Sequence, residues 1–394
     1  MKKILLIASL ASCAALLAWQ QGDFKLPAPF HTESSDNRPR VVAKPDGAQL
    51  QLPKGFQIEE YASGFQVPRY MALGPGGELL LSDSANQGVV WLLFDKDKDN
   101  KVEEKRELVK GLDRPFGLAF WRDYLYIAER TSLKRYKYDR AAMTVGAGEE
   151  VVPMKDYAKG HWTRTVLFDR KGDKMYLAIG SQSNVDAGED PKRAAINRYN
   201  PDGTGHEIVA SGTRNPIGMR FYPNTDTLWA AVQERDRLGD DLVPDYFTSI
   251  RQGGFYGWPY AYVGPNEDPR RKGEKPDLVA KTIVPDVNLG AHVAVLDFIF
   301  YTGRQFPSQY QGGALLALHG SWNRSQRVGY SVVFVPFRNG KPADQPRNFL
   351  TGWMLAPDKQ EVWGRPVGLL QLPDGSVLLT DDGGNKVWRI SYKG

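Results

Sequence analysis

RNPIGMRFYPNTDTLWAAVQE, Arg214–Glu234, reads as two short apolar strands joined by a Pro-Asn-Thr-Asp turn. The same plan returns in RYMALGPGGELLLSD from Arg69, RPFGLAFWRDYLYIAE from Arg114, RTVLFDRKGDKMYLAIGS from Arg164 and RPVGLLQLPDGSVLLTDD from Arg365. The first four copies, at Arg69, Arg114, Arg164 and Arg214, start 45 to 50 residues apart. A sixth, more diverged copy is AVLDFIFYTG from Ala294 with GALLALHGS ending at Ser321. A hairpin recurring at that period predicts propeller blades, one blade per copy.

The expected fold is therefore all-β, a six-bladed β-propeller of four-stranded antiparallel blades. Further strands are expected after the hairpins, at 88–95, 133–139, 194–200, 329–337 and 386–392, and they read as edge-like. Phe56–Tyr61 precedes the first copy and is expected to close the ring by joining the last blade. Nothing reads as a long amphipathic helix.

The 394 residues fit one large all-β unit, and the 40 glycines and 26 prolines are spread as turn residues rather than gathered in a tract. Net charge is +5, with Lys2 and Lys3 supplying two of those units. Basic residues interleave with acidic ones, so no stripe argues for nucleic acid.

Residues 1–19 read as an export signal, with Lys2-Lys3 ahead of the apolar run Ile4–Trp19. Leu10-Ala-Ser-Cys13 has the form of a lipobox, and Cys13 is the single cysteine. Lipidation at Cys13, cleavage further on and an uncleaved anchor all remain open, and each puts the protein outside the cytoplasm, periplasmic or membrane-anchored. Residues 20–49, rich in Pro, Ser, Asp and Gln, read as a flexible linker, and 50–394 as the propeller. One cysteine excludes disulfides and a CxxCH haem site.

Loops on one face of a propeller converge on its channel, so polar residues distant in sequence can meet there. His161, in KGHWTR, directly precedes an inner strand and is a candidate general base or a structural histidine bonded to a carbonyl. Arg214 and Asn215 pair a donor fork with an amide, which suits an anionic or quinonoid ligand. Gln233–Asp241 carries Glu234, Arg235, Asp236, Asp240 and Asp241 in a Gly-containing loop that suits a hard cation or is merely solvated. GGFYGWPY, with Trp258, offers a flat wall for a planar ligand or a tight corner. HGSWNR and GRP add Arg324 and Arg365. Asp95-Lys-Asp-Lys-Asp99 alternates acids like an EF-hand loop, yet Asn100 stands for the turn glycine and Arg106 for the closing Glu, so a solvated hairpin tip is the expectation.

Taken together, HWTR, GSQSN, GTRNPIGM, the loop ending GDD, GFYGWPY and GSWNR make the chain resemble the soluble glucose and sorbosone dehydrogenases dependent on pyrroloquinoline quinone (PQQ), most closely their sorbosone-dehydrogenase-like branch. The likeness runs from about Leu52 to Tyr392. It implies a six-bladed propeller holding PQQ and Ca²⁺ at the channel mouth. It makes His161 the base that takes a hydroxyl proton as hydride passes to the quinone, with Arg214 and Asn215 at the reactive carbonyl. It puts Ca²⁺ on a loop equivalent to Glu234–Arg237, largely on backbone oxygens, with Asp240 and Asp241 close by. Gln182 matches a substrate-side residue, Trp258 is counted with it, and Arg324 and Arg365 match cofactor-binding cations. Three departures stand out. Gly160 replaces an aspartate before the histidine, Ile217 a glutamine, and Trp363 an arginine of the glucose enzymes.

The resemblance implies oxidation of an aldose, sugar aldehyde or related alcohol, with electrons passed to a separate cytochrome or quinone. A metal-dependent lactonase and a non-catalytic binding propeller are the competing readings. Three arginines, Arg214, Arg324 and Arg365, gathered on one channel would favour the PQQ tricarboxylate over both.

Overall fold

The computed structural model describes residues 25–394, and the export-signal reading and Cys13 lie outside them. Six antiparallel sheets of four strands are arranged around a channel, as the repeats predict. Blade 3 gains a fifth strand, Gly254–Phe255, in parallel. The first strands of the blades touch in cyclic order: Pro68–Leu73, Leu118–Trp121, Arg164–Phe168, Asn215–Phe221, Val295–Phe300, Pro366–Gln371, and back to the first. Phe56–Ser63 pairs antiparallel with Lys386–Tyr392 and completes blade 6, so the ring closes with strands from both ends of the propeller region.

The glycine of the repeated Arg-Pro signature has a packing reason. A Cβ on Gly117 would sit 2.7 Å from Arg164 O, and one on Gly368 2.2 Å from Arg69 O. Neighbouring inner strands thus meet backbone to backbone, which any side chain there would prevent. Inside the ring, Arg220 ties blades together: its Nη2 is 3.1 Å from Asp297 Oδ2, and its Nη1 donates to Tyr70 Oη at 2.6 Å. Apolar clusters fill the spaces between adjacent blades, as where Tyr301, Phe306, Trp353 and Trp363 pack together with Leu369 and Leu379.

One strand assignment is corrected. The strands read as edge-like are the third of each blade, as in Asn86–Phe94 and Ser132–Asp139, with a partner on both sides. In five blades the fourth strand follows in sequence: Glu104–Asp113, Thr144–Pro153, Glu207–Ser211, Val287–Ala291 and Arg347–Leu350. In blades 1 and 2 their pattern is hidden because few of their residues are buried, and bulges between Val145 and Gly148 and between Glu150 and Val152 break the alternation in blade 2.

The stretch expected to be a flexible linker makes defined contacts from Leu26 on. Phe30 N donates to Leu238 O at 2.8 Å, and Thr32 Oγ1 accepts from Asp240 N at 2.7 Å. Asn37 N donates to Trp322 O, and Arg40–Val41 pairs with Glu361–Val362. This strap bridges the 237–241 and 321–327 loops. Its composition reads as loose because it owns no core and borrows all its partners from loops distant in sequence. Among the described residues no helix is long and apolar enough to cross a membrane.

Candidate active site

His161 stands just before the inner strand of blade 3. Its backbone N donates to Ser181 O at 3.0 Å, and its ring Nδ1 lies 2.9 Å from the same carbonyl. A carbonyl can only accept, so Nδ1 carries the hydrogen and Nε2 keeps its lone pair. Burial, followed by the positive charge of Arg214, pushes the imidazole pKa down to about 3. His161 is thus neutral across the physiological range, with the tautomer that a base acting through Nε2 requires. Gly160 has φ +78°, and a Cβ there would lie 2.4 Å from Gln182 Cα. That contact gives the physical reason for glycine where the glucose enzymes have aspartate.

Arg214 and Asn215 begin the inner strand of the next blade. Asn215 comes next to His161 through Gly180: a Cβ on Gly180 would meet Asn215 Oδ1 at 2.4 Å and His161 Cβ at 2.6 Å. Asn215 Nδ2 donates to Gln233 Oε1 at 3.0 Å, while its Oδ1 is buried without a partner among the described residues. Arg214 donates to Glu234 O at 2.7 Å, to Asn184 Oδ1 at 2.9 Å and to Asp236 Oδ2 at 3.0 Å. Its fork therefore knits the 184 and 234–236 loops together, besides presenting positive charge to His161.

His161, Arg214 and Asp236 line a cavity of about 80 Å³ completed by Gln233, Glu234, Asp245, His292, Ala294 and Trp322. His292 adopts φ +63°; its Nε2 donates to Gly239 O at 2.9 Å and its Nδ1 lies 3.4 Å from Asp236 Oδ1. Burial opposes its protonation, but those bonds prevail and raise its pKa. Burial likewise works to raise Asp236, and His292 with Arg214 holds it below the usual carboxylate range. Asp245 is pushed up to about 7 by burial, although backbone N–H groups of Glu234 and Ala294 bond its two oxygens. His292, Asp245 and Trp322 were not singled out in the sequence. The scarcity of histidine, five in the chain, was the available signal for His292.

The other expected site residues are dispersed. Gln182 and Trp258 line two neighbouring cavities rather than this one. Arg324 pairs with Asp241 at 2.7 Å and lines a groove of about 540 Å³ between blades 4 and 5. Arg365 donates weakly to His319 O and Gly320 O, at 3.2 and 3.3 Å. Arg214, Arg324 and Arg365 each have internal partners, and no cavity described above is lined by all three.

The acids of the 234–241 loop do not converge either. Glu234 Oε2 accepts from Arg235 Nε at 3.0 Å, and Arg235 runs on to Asp268 with its side chain fully buried. Asp240 accepts from Ser325, and Asp241 faces Arg324. The carbonyls of Glu234, Asp236 and Asp240 accept from the guanidinium groups of Arg214, Arg270 and Arg324 respectively. Cations at those oxygens do not fit a bound Ca²⁺. Among the described residues the acids whose oxygens lie within 4.8 Å of one another are Asp95, Asp97, Asp99 and Glu103, at the exposed hairpin tip of blade 1.

Residues 50–244 and 271–393 match the family described as TrAA12-like. This chain belongs to the TrAA12-like family. It is 30% identical over 370 residues to a Borreliella burgdorferi protein of unassigned function, covering 90% of this chain and 93% of that one. It is 25% identical over 398 residues to the pyrroloquinoline quinone-dependent pyranose dehydrogenase of Coprinopsis cinerea, covering 84% of this chain and 53% of that protein, so it spans about half that relative's length. In structure, the TrAA12-like chain superposes on a Trichoderma reesei carbohydrate-active enzyme of family AA12 with TM-score 0.76 at 22% identity, covering 91% and 100% of the two chains. The holo PQQ domain of the Coprinopsis enzyme superposes with TM-score 0.75 at 20% identity, covering 90% and 99%.

Proposed function

We propose that this TrAA12-like protein is a PQQ-dependent oxidoreductase that oxidises a sugar or sugar aldehyde. The observation that carries this reading is His161, anchored through Nδ1 on the Ser181 carbonyl, neutral, and set beside Asn215 and the Arg214 guanidinium. A neutral imidazole with an open Nε2 lone pair can accept a hydroxyl proton, and the guanidinium beside it stabilises the negative charge that develops on the sugar oxygen.

The chain's residues fit the cofactor in chemical type. Asn215, with its unpartnered buried oxygen, and Arg214 would border the quinone end. Arg69, whose Nη2 pairs with Asp382 at 2.7 Å while its Nε has no partner among the described residues, and the weakly bonded Arg365 would be the cations that meet its carboxylates. When bound, PQQ supplies the two-electron acceptor that no side chain can provide.

The protein's own part is then to hold the sugar carbinol against His161, whose Nε2 takes the hydroxyl proton. Ser181 O keeps the ring from rotating, and the Arg214–Asp236 pair fixes the wall of the cavity. Arg214 also disfavours the imidazolium, so the proton is readily passed on once the sugar is oxidised. Electrons then leave to a separate carrier, a cytochrome or quinone, on an exported protein whose Cys13 is a candidate lipid anchor. Calcium on the 234–241 loop is not included, because guanidinium groups occupy its carbonyls. The same loop argues against a lactonase, since its acids pair with arginines and a serine instead of facing one ion.

The test is titration of purified protein with PQQ, with and without Ca²⁺, followed by absorbance while aldoses and sugar aldehydes are added. Saturable binding followed by substrate-driven quinone reduction is expected, with no requirement for Ca²⁺ at the loop. Absence of PQQ binding under both conditions would remove the reading.

A further inference from the structure

The 181–190 segment has two sides. Its inner side serves the His161 cavity, through Ser181 O on His161 and Asn184 Oδ1 on Arg214. Its outer side opens onto two adjoining cavities of about 390 and 340 Å³, which share the wall formed by Gly188, Glu189, Asp190 and Arg193. Each lies within the roughly 300–1,000 Å³ range of small-ligand sites.

Arg193 is the unexplained group in that wall. Its side chain is 2% exposed, yet Nη1 has no hydrogen-bond partner and Nε reaches only to 3.4 Å from Glu189 Oε2. Nη2 alone is well bonded, to Lys159 O at 2.8 Å. Glu189 meets Nε as a loose ion pair while its oxygens also accept from Gln182 N and from Ser183 N and Oγ, and it leaves Nη1 without a partner among the described residues. A buried guanidinium with a free N–H lining two cavities is costly unless something in them accepts from it.

The surroundings select the acceptor. Asp156, Asp186 and Asp190 line the first cavity and are exposed, Asp186 lying 3.3 Å from Arg271 and Asp190 accepting from Tyr157 Oη, so with Glu189 the acids still outnumber the guanidinium groups and an anion is disfavoured. The second cavity adds partly exposed Phe255 and Tyr260 beside Trp258, whose Nε1 is taken by Asn184 O at 2.8 Å. Carboxylates that accept from hydroxyls, one guanidinium that donates to a hydroxyl, and aromatic faces for C–H surfaces together describe a polyol with apolar ring faces. Phe255, Trp258 and Tyr260 fall in residues 245–270, which lie outside the stretches matching the TrAA12-like family.

We propose that the two cavities form one binding site for a neutral oligosaccharide, separate from the His161 cavity and divided from it by the 181–190 segment. Arg193 donates to a ring hydroxyl, Asp186 and Asp190 accept from others, and a sugar ring lies against Tyr260 and Phe255. Binding there involves no redox step and no cofactor.

The experiment is calorimetric titration of the cofactor-free full chain with cellotriose, maltotriose and mannotriose, alongside trigalacturonate and a glucosamine trimer as charged controls. At least one neutral trisaccharide binds, and Arg193→Met and Tyr260→Ala each weaken it by roughly tenfold or more. Tyr260 is partly exposed, so its variant carries the test if Arg193→Met fails to fold. Absence of binding by every neutral trisaccharide, stronger binding of either charged control, or affinity unchanged in Tyr260→Ala overturns the site. Since no PQQ is present, that failure leaves the dehydrogenase reading standing, and a failure to reduce PQQ leaves this site standing.

Discussion

On the blade 3 and blade 4 side of the channel face, His161 rests against a carbonyl. On the blade 5 and blade 6 side, His319 Nε2 instead donates to the Asp382 carboxylate at 2.8 Å. Both rings are kept neutral by burial and then by a nearby guanidinium, with pKa values lowered to about 3 and about 4. Their partners differ in consequence. The Ser181 carbonyl fixes His161 and leaves Nε2 available, whereas Asp382 also pairs with Arg69 at 2.7 Å and locks His319 into an ionic network. Burial works to raise Asp382, but Arg69, His319 and Arg365 overcome it and hold it well below the usual range. A lowered histidine pKa therefore marks dryness at both lips, and hydrogen-bond geometry is what separates a ring with Nε2 left open from one tied through Nε2.

The sharpest way to break this comparison is kinetic. His161→Ala should lower turnover of the PQQ-loaded protein about 10²–10⁴-fold, the usual contribution of a positioned base, with PQQ binding retained. His319→Ala should act mainly on PQQ affinity or stability. Equal losses of turnover in dye-reduction assays would erase the distinction.

A second test works on stability. Asp382→Asn removes one partner from a buried ionic network and should destabilise the fold by about 3 kcal/mol, read from urea unfolding. A change near zero would show that Arg69 and Arg365 find other partners.

Acidification sharpens the comparison from another direction. Both histidines have folded pKa values below the ordinary 6.5, so the unfolded chain takes up protons that the folded one refuses. Their contribution is whole above pH 6.5 and is lost as pH falls toward 4 and then 3. Asp245, raised to about 7, acts oppositely by favouring the fold as pH falls from 7 toward 3.8. The melting temperature should drop from pH 6.5 to pH 4, less steeply in the His161→Gln, His319→Gln double variant. Identical slopes would show that neither ring is held neutral.

The smallest effect concerns the strap beside these lips. Asn37 Oδ1 accepts from Arg327 at 2.7 Å, and its Nδ2 donates to the carbonyls of Arg324 and Ser325. Asn37→Ala should cost about 1 kcal/mol and speed amide exchange across 321–327. Unchanged exchange would mean that the loop holds itself.

How much of this was legible follows from where the information lies. The ring was readable from RPFG, RNPIG and RPVG, because each blade is a local hairpin whose alternation and turn residues sit within some twenty residues of sequence. His161, Arg214 and Asn215 were singled out because they interrupt that repeat at strand starts. The strap was misread because Thr32, Asn37 and Arg40 have polar side chains whose partners lie some 200 to 320 residues away. Arg324 and Arg365 carried the right charge for a shared anion, but charge says nothing about which loop delivers an opposing acid. By itself the sequence determined the blade count, the closing strand and the inner strand that His161 precedes. Only the tertiary structure decided how each arginine is bonded, which nitrogen of His161 holds the proton, and that Arg193 lines two cavities with its Nη1 lacking a partner among the described residues, because partner choice among polar groups is settled by distances between loops that no local pattern encodes.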